Sequence, residues 1–375
     1  MTEDLQEYCL APVFLLQKAI NYLRLPSGDP SIAISNTSSI ISLSTDKFYA
    51  WPYKDVPSHW RRIYVDASIV QSIALIYKQQ YVFAVETLDK ALIMAGGQGH
   101  DQEIQSLFNY MSKCLIIPGG AVLPDTFPIV IPKMELTHPI PRTDAPSFSQ
   151  IQQHIATNRT PFIITNALNH WSVLQTWQNP NYFMHESLMG TRLIPIELGE
   201  SYVSETWSQK LIPFSTFLST HLLRSSREKG YLAQHDLLRQ MPNLRKGISI
   251  PEYCFADPAG DDKEEVMEDA GDNQVMENIW MGPAGTKSPL HHDPYHNIFA
   301  QVVGYKYFRL YAPEMKSKLY PRGIEGGIDM GNTSMVDVDN PDLKVFPKFA
   351  EAEYVEGVLG PGECLYIPVH LFCSI

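Results

Sequence analysis

Long apolar stretches are missing from this sequence, and so are the cysteine patterns of several protein classes. No run approaches the roughly 20 apolar residues that a membrane-spanning helix needs, and the opening MTEDLQEYCL is acidic where a signal peptide needs basic residues. The five cysteines are scattered and form no CxxC pair, which argues against a disulfide framework or a zinc finger. We therefore expect a protein of a reducing compartment, the nucleus and/or the cytoplasm, that does not contact a membrane.

Positive charge is also scarce. Lys and Arg total 29 against 41 Asp and Glu, which gives a net charge of -12. Binding to a nucleic acid through counterion release needs clustered Lys and Arg, so direct nucleic-acid binding is not expected. An acidic surface instead suits a basic protein or peptide partner. The acidic residues 256–274 predict a solvated loop, with a docking site for basic peptides as the alternative.

The first part of the chain has helical patterning. Apolar side chains recur at helical spacing in four segments, residues 13–25, 60–80, 81–96 and 101–115. Gly96 and Gly97 form a stop signal for the third of these helices. Residues 29–48 are rich in Ser and Thr, which favours a loop. We therefore predict a helical N-terminal domain over residues 1–115.

The pattern changes at about residue 116. Residues 116–147 are rich in proline, which predicts a linker that leads into a second domain. Short β-like runs punctuated by Gly and Pro follow over residues 148–375, and this alternation is typical of a sandwich or barrel. The predicted fold class is α+β.

The stretch from Ser288 to Pro313, SPLHHDPYHNIFAQVVGYKYFRLYAP, carries the chemistry. On an extended strand His291 and Asp293 would project to the same side, and this pair can supply two ligands of a facial triad that holds Fe(II). The spacing alone is a weak signal. His292 should point to the opposite side, and His296 is more typical of a surface or supporting residue than of a ligand.

Lys306 is embedded in an otherwise apolar run, VVGYKYFRL. A lysine on a buried strand is costly without an anionic partner, and a bound dicarboxylate would provide one. The alternative is that Lys306 faces solvent.

Together these stretches resemble the Jumonji-C (JmjC) oxygenases, and within them the subfamily of JmjC domain-containing protein 5, also called lysine demethylase 8. The matching motifs include WMGPAGT from Trp280, SPLHHDP from Ser288, QVVGYKYFRLYAP from Gln301, GYLAQHDLL, and LGPGECLYIPV. The resemblance covers residues 118–372, and the helical N-terminal block fits the same subfamily.

The resemblance implies a double-stranded β-helix (cupin-like jelly roll) that uses Fe(II) and 2-oxoglutarate, with no catalytic side chain beyond the metal centre. It implies that His291 and Asp293 bind iron, that Lys306 pairs with the distal carboxylate of 2-oxoglutarate, and that Trp280 lines the pocket. The positions that match hydrogen-bonding partners of this cosubstrate are Tyr202, Ser288 and Asn297. The cofactor carries the oxidation, and the protein positions a substrate C–H bond and excludes water.

One part of the family pattern is missing. A third iron ligand, a histidine, is expected shortly after LYIPV, but the chain reads LYIPVHLFCSI and the expected position holds Cys373. His370 or Cys373 could replace it, or the ligand is absent. The sequence therefore predicts a JmjC domain that is incomplete at its C-terminus, either through a mis-predicted or alternatively spliced gene end or as a genuine truncated product.

Three functions follow. The first is a protein arginyl hydroxylase, for which Glu197 and Glu200 are candidate partners of the arginine. The second is a histone-lysine demethylase, which needs room for a methylammonium group. The third is a catalytically inactive interaction module. The substrate in the first two is a protein or peptide, such as a histone or another basic protein.

Overall fold

The N-terminal part of this computed structural model is helical. The structure describes residues 5, 8–115, 123–199, 207–224, 228–257, 275–325 and 327–375. The first helices are α1 (Leu10–Arg24), α2 (Pro30–Tyr49), α3 (Ser58–Tyr77), α4 (Tyr81–Ala95) and α5 (Asp101–Cys114). Four of them coincide with the four helical segments that the sequence predicts.

Helix α2 corrects the prediction of a loop over residues 29–48. Asp29 caps this helix by accepting a hydrogen bond from the backbone N–H of Ser31 at 2.8 Å, and Pro30 occupies its first turn. In an isolated peptide, hydroxyl side chains compete with the backbone hydrogen bonds of a helix. In α2 they instead bond to carbonyl groups of the same helix, as the Thr37 hydroxyl does to the Ala33 carbonyl at 2.7 Å. The buried Ile40 packs between α1 and α3, so tertiary contacts outweigh the low helix propensity of Ser and Thr.

Helices α3 and α4 are joined by residues 78–80 and pack against each other. Gly96 follows α4 with a φ of 71°, in the left-handed conformation that closes a helix C-terminus at little cost to glycine. The core of this pair includes the fully buried Val85 and Leu88, and it extends to Phe108 of α5.

Residues 123–141 form no helix, as their prolines predict. The end of this segment nevertheless joins the sheet structure of the second half. The Ile140 N–H donates to the Glu356 carbonyl at 2.8 Å, and the Glu356 N–H donates to the His138 carbonyl at 2.7 Å. This segment is therefore attached to the second domain rather than free of it.

The second half consists of short strands with a few short helices. The strands are β1 (Arg142–Asp144), β2 (Phe162–Thr165), β3 (Leu193–Leu198), β4 (Ser208–Pro213), β5 (Gly230–His235), β6 (Ile279–Met281), β7 (Asn297–Ala300), β8 (Lys306–Tyr311), β9 (Ile324–Glu325), β10 (Ile328–Asp329), β11 (Val355–Leu359), β12 (Cys364–Ile367) and β13 (Phe372–Ser374). The helices are α6 (Phe148–Thr157), α7 (Val173–Thr176), α8 (Pro180–Glu186), α9 (Phe214–Thr216), which continues as a π-helix, and α10 (Leu237–Gln240).

The strands form layers. One sheet has the order β1-β2-β12-β7, a second has the order β11-β8-β13, and a third has the order β4-β3-β5-β6. Pairing is antiparallel except between β1 and β2, which run parallel. Side chains of the first two sheets, among them Leu365 and Phe308, meet in one apolar core. The other face of the first sheet packs with the third sheet in a second core. The α+β prediction is confirmed.

Candidate iron and cosubstrate site

The segment that carries His291 is extended and lies between two other parts of the chain. His291 exchanges both backbone hydrogen bonds with Cys373, at 3.0 and 2.6 Å, and it also bridges Thr333. His291 is the last residue of this segment in a β-bridge, so Asp293 lies outside the strand pairing. Asp293 is followed by a bend that begins at Pro294, and strand β7 begins only at Asn297. Proline has no N–H to donate to a sheet, so strand pairing is interrupted here.

The imidazole of His291 is oriented by its own backbone. Its Nδ1 lies 2.7 Å from the Pro289 carbonyl oxygen, which can only accept, so Nδ1 carries the proton and Nε2 presents its lone pair. Asp293 is held from the other side, because the Asn297 amide donates to its Oδ2 at 3.2 Å. Second contacts of this kind are typical of metal ligands. Asn297, predicted to bind the cosubstrate, thus contacts the predicted ligand Asp293.

The two candidates for the third ligand lie on different sides of this segment. His370 sits in a turn with a φ of 61°, its backbone N–H donates to the Asp293 carbonyl at 3.1 Å, and its ring lies 5.5 Å from that of His292. Cys373 is buried in the core between the two sheets, where burial, with the charge of Asp293, raises the pKa of its thiol well above the usual range. In the described ranges, no three His, Cys, Asp or Glu side chains are grouped so as to hold a metal ion.

Lys306 begins β8 on the face that carries Phe308 and Leu310, which points into the core between the sheets. Its ammonium group donates to the Tyr231 hydroxyl at 2.9 Å and lies 5.0 Å from the ring centre of Phe299. Burial lowers the pKa of Lys306 to about 8, against a smaller opposite effect of Cys373. No acidic side chain in the described part of the chain pairs with it. An inward cation without a protein anion fits a carboxylate ligand.

Tyr231 is the pocket residue that the sequence reasoning missed. It lies on β5, is 9% exposed and lies near the Ser288 side chain, while burial raises the pKa of its phenol well above the usual range. Its hydroxyl therefore stays protonated and accepts a hydrogen bond from Lys306. The motif GYLAQHDLL contained this tyrosine, but nothing in the spacing of that motif distinguishes it from a core aromatic residue.

The remaining predicted residues are placed as follows. Trp280 lies on β6, is 38% exposed, and has its ring 6.1 Å from that of Phe299, on the outer side of the Lys306 site. Glu197 of β3 pairs in register with Tyr231, and burial raises the pKa of its carboxyl. Tyr202 and Glu200 lie outside the described residues, as does most of the acidic segment 256–274.

His292 and His296 stay apart from the predicted ligand pair. The ring of His292 packs 4.7 Å from that of Phe372, on the side away from the core that holds Cys373, as strand alternation predicts. The Nδ1 of His296 lies 2.9 Å from the Tyr366 hydroxyl, and the two rings stack.

The lowered pKa of Lys306 predicts how a dicarboxylate binds at different pH values. The charged form binds the carboxylate, and it dominates only below pH 8, so affinity is full there and is lost as the pH rises. We expect the Kd for 2-oxoglutarate, measured by calorimetry, to be constant below this value and to rise about tenfold per pH unit above it. In the variant Lys306→Arg the guanidinium stays charged, so its profile should remain flat. A flat profile for the parent protein would contradict this account.

Comparisons with known proteins show which family the chain belongs to. The sequence profile of the cupin-like domain family matches residues 148–374. The Danio rerio protein named lysine-specific demethylase 8 is 33% identical over 364 residues, which cover 91% of this chain and 84% of that protein. The Drosophila melanogaster Jumonji C domain-containing protein 5 is 30% identical over 368 residues, which cover 95% and 88%.

A third relative, the Xenopus tropicalis lysine-specific demethylase 8, is 36% identical over 253 residues. These cover 67% of this chain but 53% of the frog protein, so the chain spans about half the length of that relative. The matches to the fish and fly proteins include the helical part as well as the strands. The chain therefore belongs to the JmjC family of cupin-like proteins, as the motifs around His291 and Lys306 predict.

Proposed function

We propose that this protein is a 2-oxoglutarate-dependent oxygenase that acts on a protein or peptide. Membership of the JmjC family supports an enzyme of the Fe(II)/2-oxoglutarate type. The observation that carries the proposal is the inward ammonium of Lys306, which has the Tyr231 hydroxyl as a partner and no acidic partner among the described residues. Lys306 and Tyr231, with Ser288, would hold the distal carboxylate of 2-oxoglutarate, and Trp280 would border the pocket.

The described residues fit the cosubstrate better than they fit a complete iron centre. His291 and Asp293 present donors that suit Fe(II), while Cys373 stands opposite His291 where the family pattern requires a histidine. A sulfur donor is softer than the ligands that Fe(II) oxygenases of this type use. We propose that the protein provides two iron ligands from these residues, and that iron therefore binds weakly.

The names of the relatives favour methyl-lysine as the substrate, because several are called lysine-specific demethylases. One observation keeps arginyl hydroxylation as a second candidate. Glu197 lies beside Tyr231 at the edge of the pocket, and a carboxylate there could receive a guanidinium group. Both substrates are basic, which suits the net charge of -12.

Action in the nucleus and/or cytoplasm stays a prediction. Of the helices that the structure describes, none has both the length and the apolar character to cross a bilayer.

Two peptides of one basic sequence would separate these substrates. One carries a methylated lysine and the other an unmodified lysine, and both contain arginine. Demethylation predicts loss of a methyl group from the first peptide with release of formaldehyde, as measured by mass spectrometry. Arginyl hydroxylation predicts that both peptides gain one oxygen atom on arginine.

The variant Glu197→Gln is the matched test, because it removes the charge that would bind arginine. We expect it to abolish oxygen addition to arginine if that reaction occurs, and to leave 2-oxoglutarate binding unchanged. Binding of 2-oxoglutarate without any product from either peptide, with added Fe(II) and also after restoration of the third ligand, would contradict both substrate assignments. It would favour the inactive interaction module.

A further inference from the structure

A buried carboxylate of the helical part is bound entirely by groups of the second part. Asp89 of α4 is fully buried. It accepts hydrogen bonds from Arg192 Nε at 2.9 Å, from the Leu193 N–H at 2.7 Å and from Gln240 Nε2 at 2.7 Å. A buried charge with this many partners is well satisfied, and removing one partner leaves the others unpaired. We call Asp89, Arg192, Gln240 and His235 the buried network.

Arg192 joins two helices to this site. It is 3% exposed, its Nη2 donates to the Gln240 carbonyl at 2.8 Å, and its guanidinium lies 3.6 Å from the ring centre of Phe108 in α5. Both α4 and α5 therefore contact the same cation. The planar guanidinium serves the carboxylate and the aromatic face together, which an ammonium group could not do.

Gln240 connects Asp89 to a second strand, β5. Its Nε2 also donates to the Leu193 carbonyl at 2.7 Å, and its Oε1 lies 2.6 Å from Nε2 of His235. Because an amide oxygen only accepts, the histidine donates in this contact. Burial lowers the pKa of His235, so its ring is neutral at physiological pH. The network thus ties Leu193, where β3 begins, to His235, where β5 ends.

These two strands share little backbone pairing. The ladder between β3 and β5 consists of Glu197 with Tyr231 and Leu198 with Gly230, and both pairs lie at the pocket end. At the opposite end, the side chains of the buried network join the strands in place of backbone hydrogen bonds. The pocket end carries Glu197 and Tyr231, and Tyr231 contacts Lys306.

We propose that Asp89 is a positioning residue for the cosubstrate pocket, acting through Arg192 and Gln240 to fix the strands that carry Glu197 and Tyr231. This inference rests on the proposed function, because it takes 2-oxoglutarate as the ligand of Lys306. It assigns the helical part a role in building the pocket. The physical reason is that close-packed strands move as units, so a shift at one end displaces the residues at the other.

The test compares Asp89→Asn with Asp101→Asn in the full chain. Asp101 also joins the helical part to the second part, through an exposed pair with Arg239 at 2.9 Å, but it does not touch β3 or β5. We expect Asp89→Asn to weaken 2-oxoglutarate binding by about tenfold to a hundredfold, as small misplacements of binding groups do. Asp101→Asn should bind like the parent protein. Gln240→Met, which keeps the Asp89–Arg192 pair, provides the same test if Asp89→Asn does not fold.

A second readout separates positioning from a loss of stability. Among the described residues, the titratable groups that face Lys306 are Tyr231 and Cys373. If Tyr231 is displaced, Lys306 becomes more solvated, and the pH above which 2-oxoglutarate affinity falls should move upward in Asp89→Asn. A variant that is less stable but binds with the parent's Kd and pH profile would overturn the inference. No binding of 2-oxoglutarate by the parent protein would instead overturn the proposed function.

Discussion

Replacement of Lys306 by methionine is expected to weaken 2-oxoglutarate binding at least about thirtyfold, because truncation of one partner in a buried charge pair costs roughly 2–5 kcal/mol. The same change should raise the thermal stability of the ligand-free protein at neutral pH. There the ammonium is buried without an acidic partner among the described residues, and its lowered pKa reflects that cost. Calorimetry with 2-oxoglutarate and thermal unfolding of the free protein would measure both effects.

The opposite signs of these effects make the prediction specific. A lysine that serves the fold would lose stability on replacement, whereas one kept for a ligand gains stability and loses binding. Lys344→Met is the control, because it removes the same charge from an exposed position. Unchanged binding in Lys306→Met, or a less stable ligand-free protein, would contradict the assignment of Lys306.

Replacement of Cys373 by histidine is expected to raise the affinity for Mn²⁺, an air-stable substitute for Fe(II), by at least about a hundredfold, since even outer-shell partners of metal sites contribute about ten- to a hundredfold. Cys373 exchanges both backbone hydrogen bonds with His291, so an imidazole at this position would project beside the two predicted ligands. Calorimetry with Mn²⁺ would measure the change without requiring turnover.

Cys373→Leu is the matched control, because it adds similar bulk without a metal-binding nitrogen. It tests whether the core tolerates a larger side chain at a position that is 6% exposed. If the parent protein binds Mn²⁺ as tightly as Cys373→His, the proposed two-ligand centre is wrong, and the thiol or another group completes the site.

Local patterning was sufficient for much of the fold. The apolar spacing of α1, α3, α4 and α5, and the glycine stop at Gly96, predicted helices that the structure contains. The prolines of residues 123–141 excluded helix there. These signals are local, because a helix periodicity, a cap and a missing N–H act within a few residues.

The prediction failed where distant contacts decide. Helix α2 has Ser and Thr composition that favours a loop, but it is held between α1 and α3. Residues 288–292 pair with residues 332–334 and 373–375, and no local sequence signal predicts this pairing.

The sequence by itself determined the family, and it predicted the candidate ligands His291 and Asp293 and the position of Cys373, because these depend on which residues stand at which spacing. Only the tertiary structure decided that Lys306 points inward, that Tyr231 is its partner, and that Asp89 connects the helical part to the pocket strands. The physical reason is that burial and pairing are properties of the folded surroundings. The energy of a charge depends on groups that lie far away in the chain and close in space.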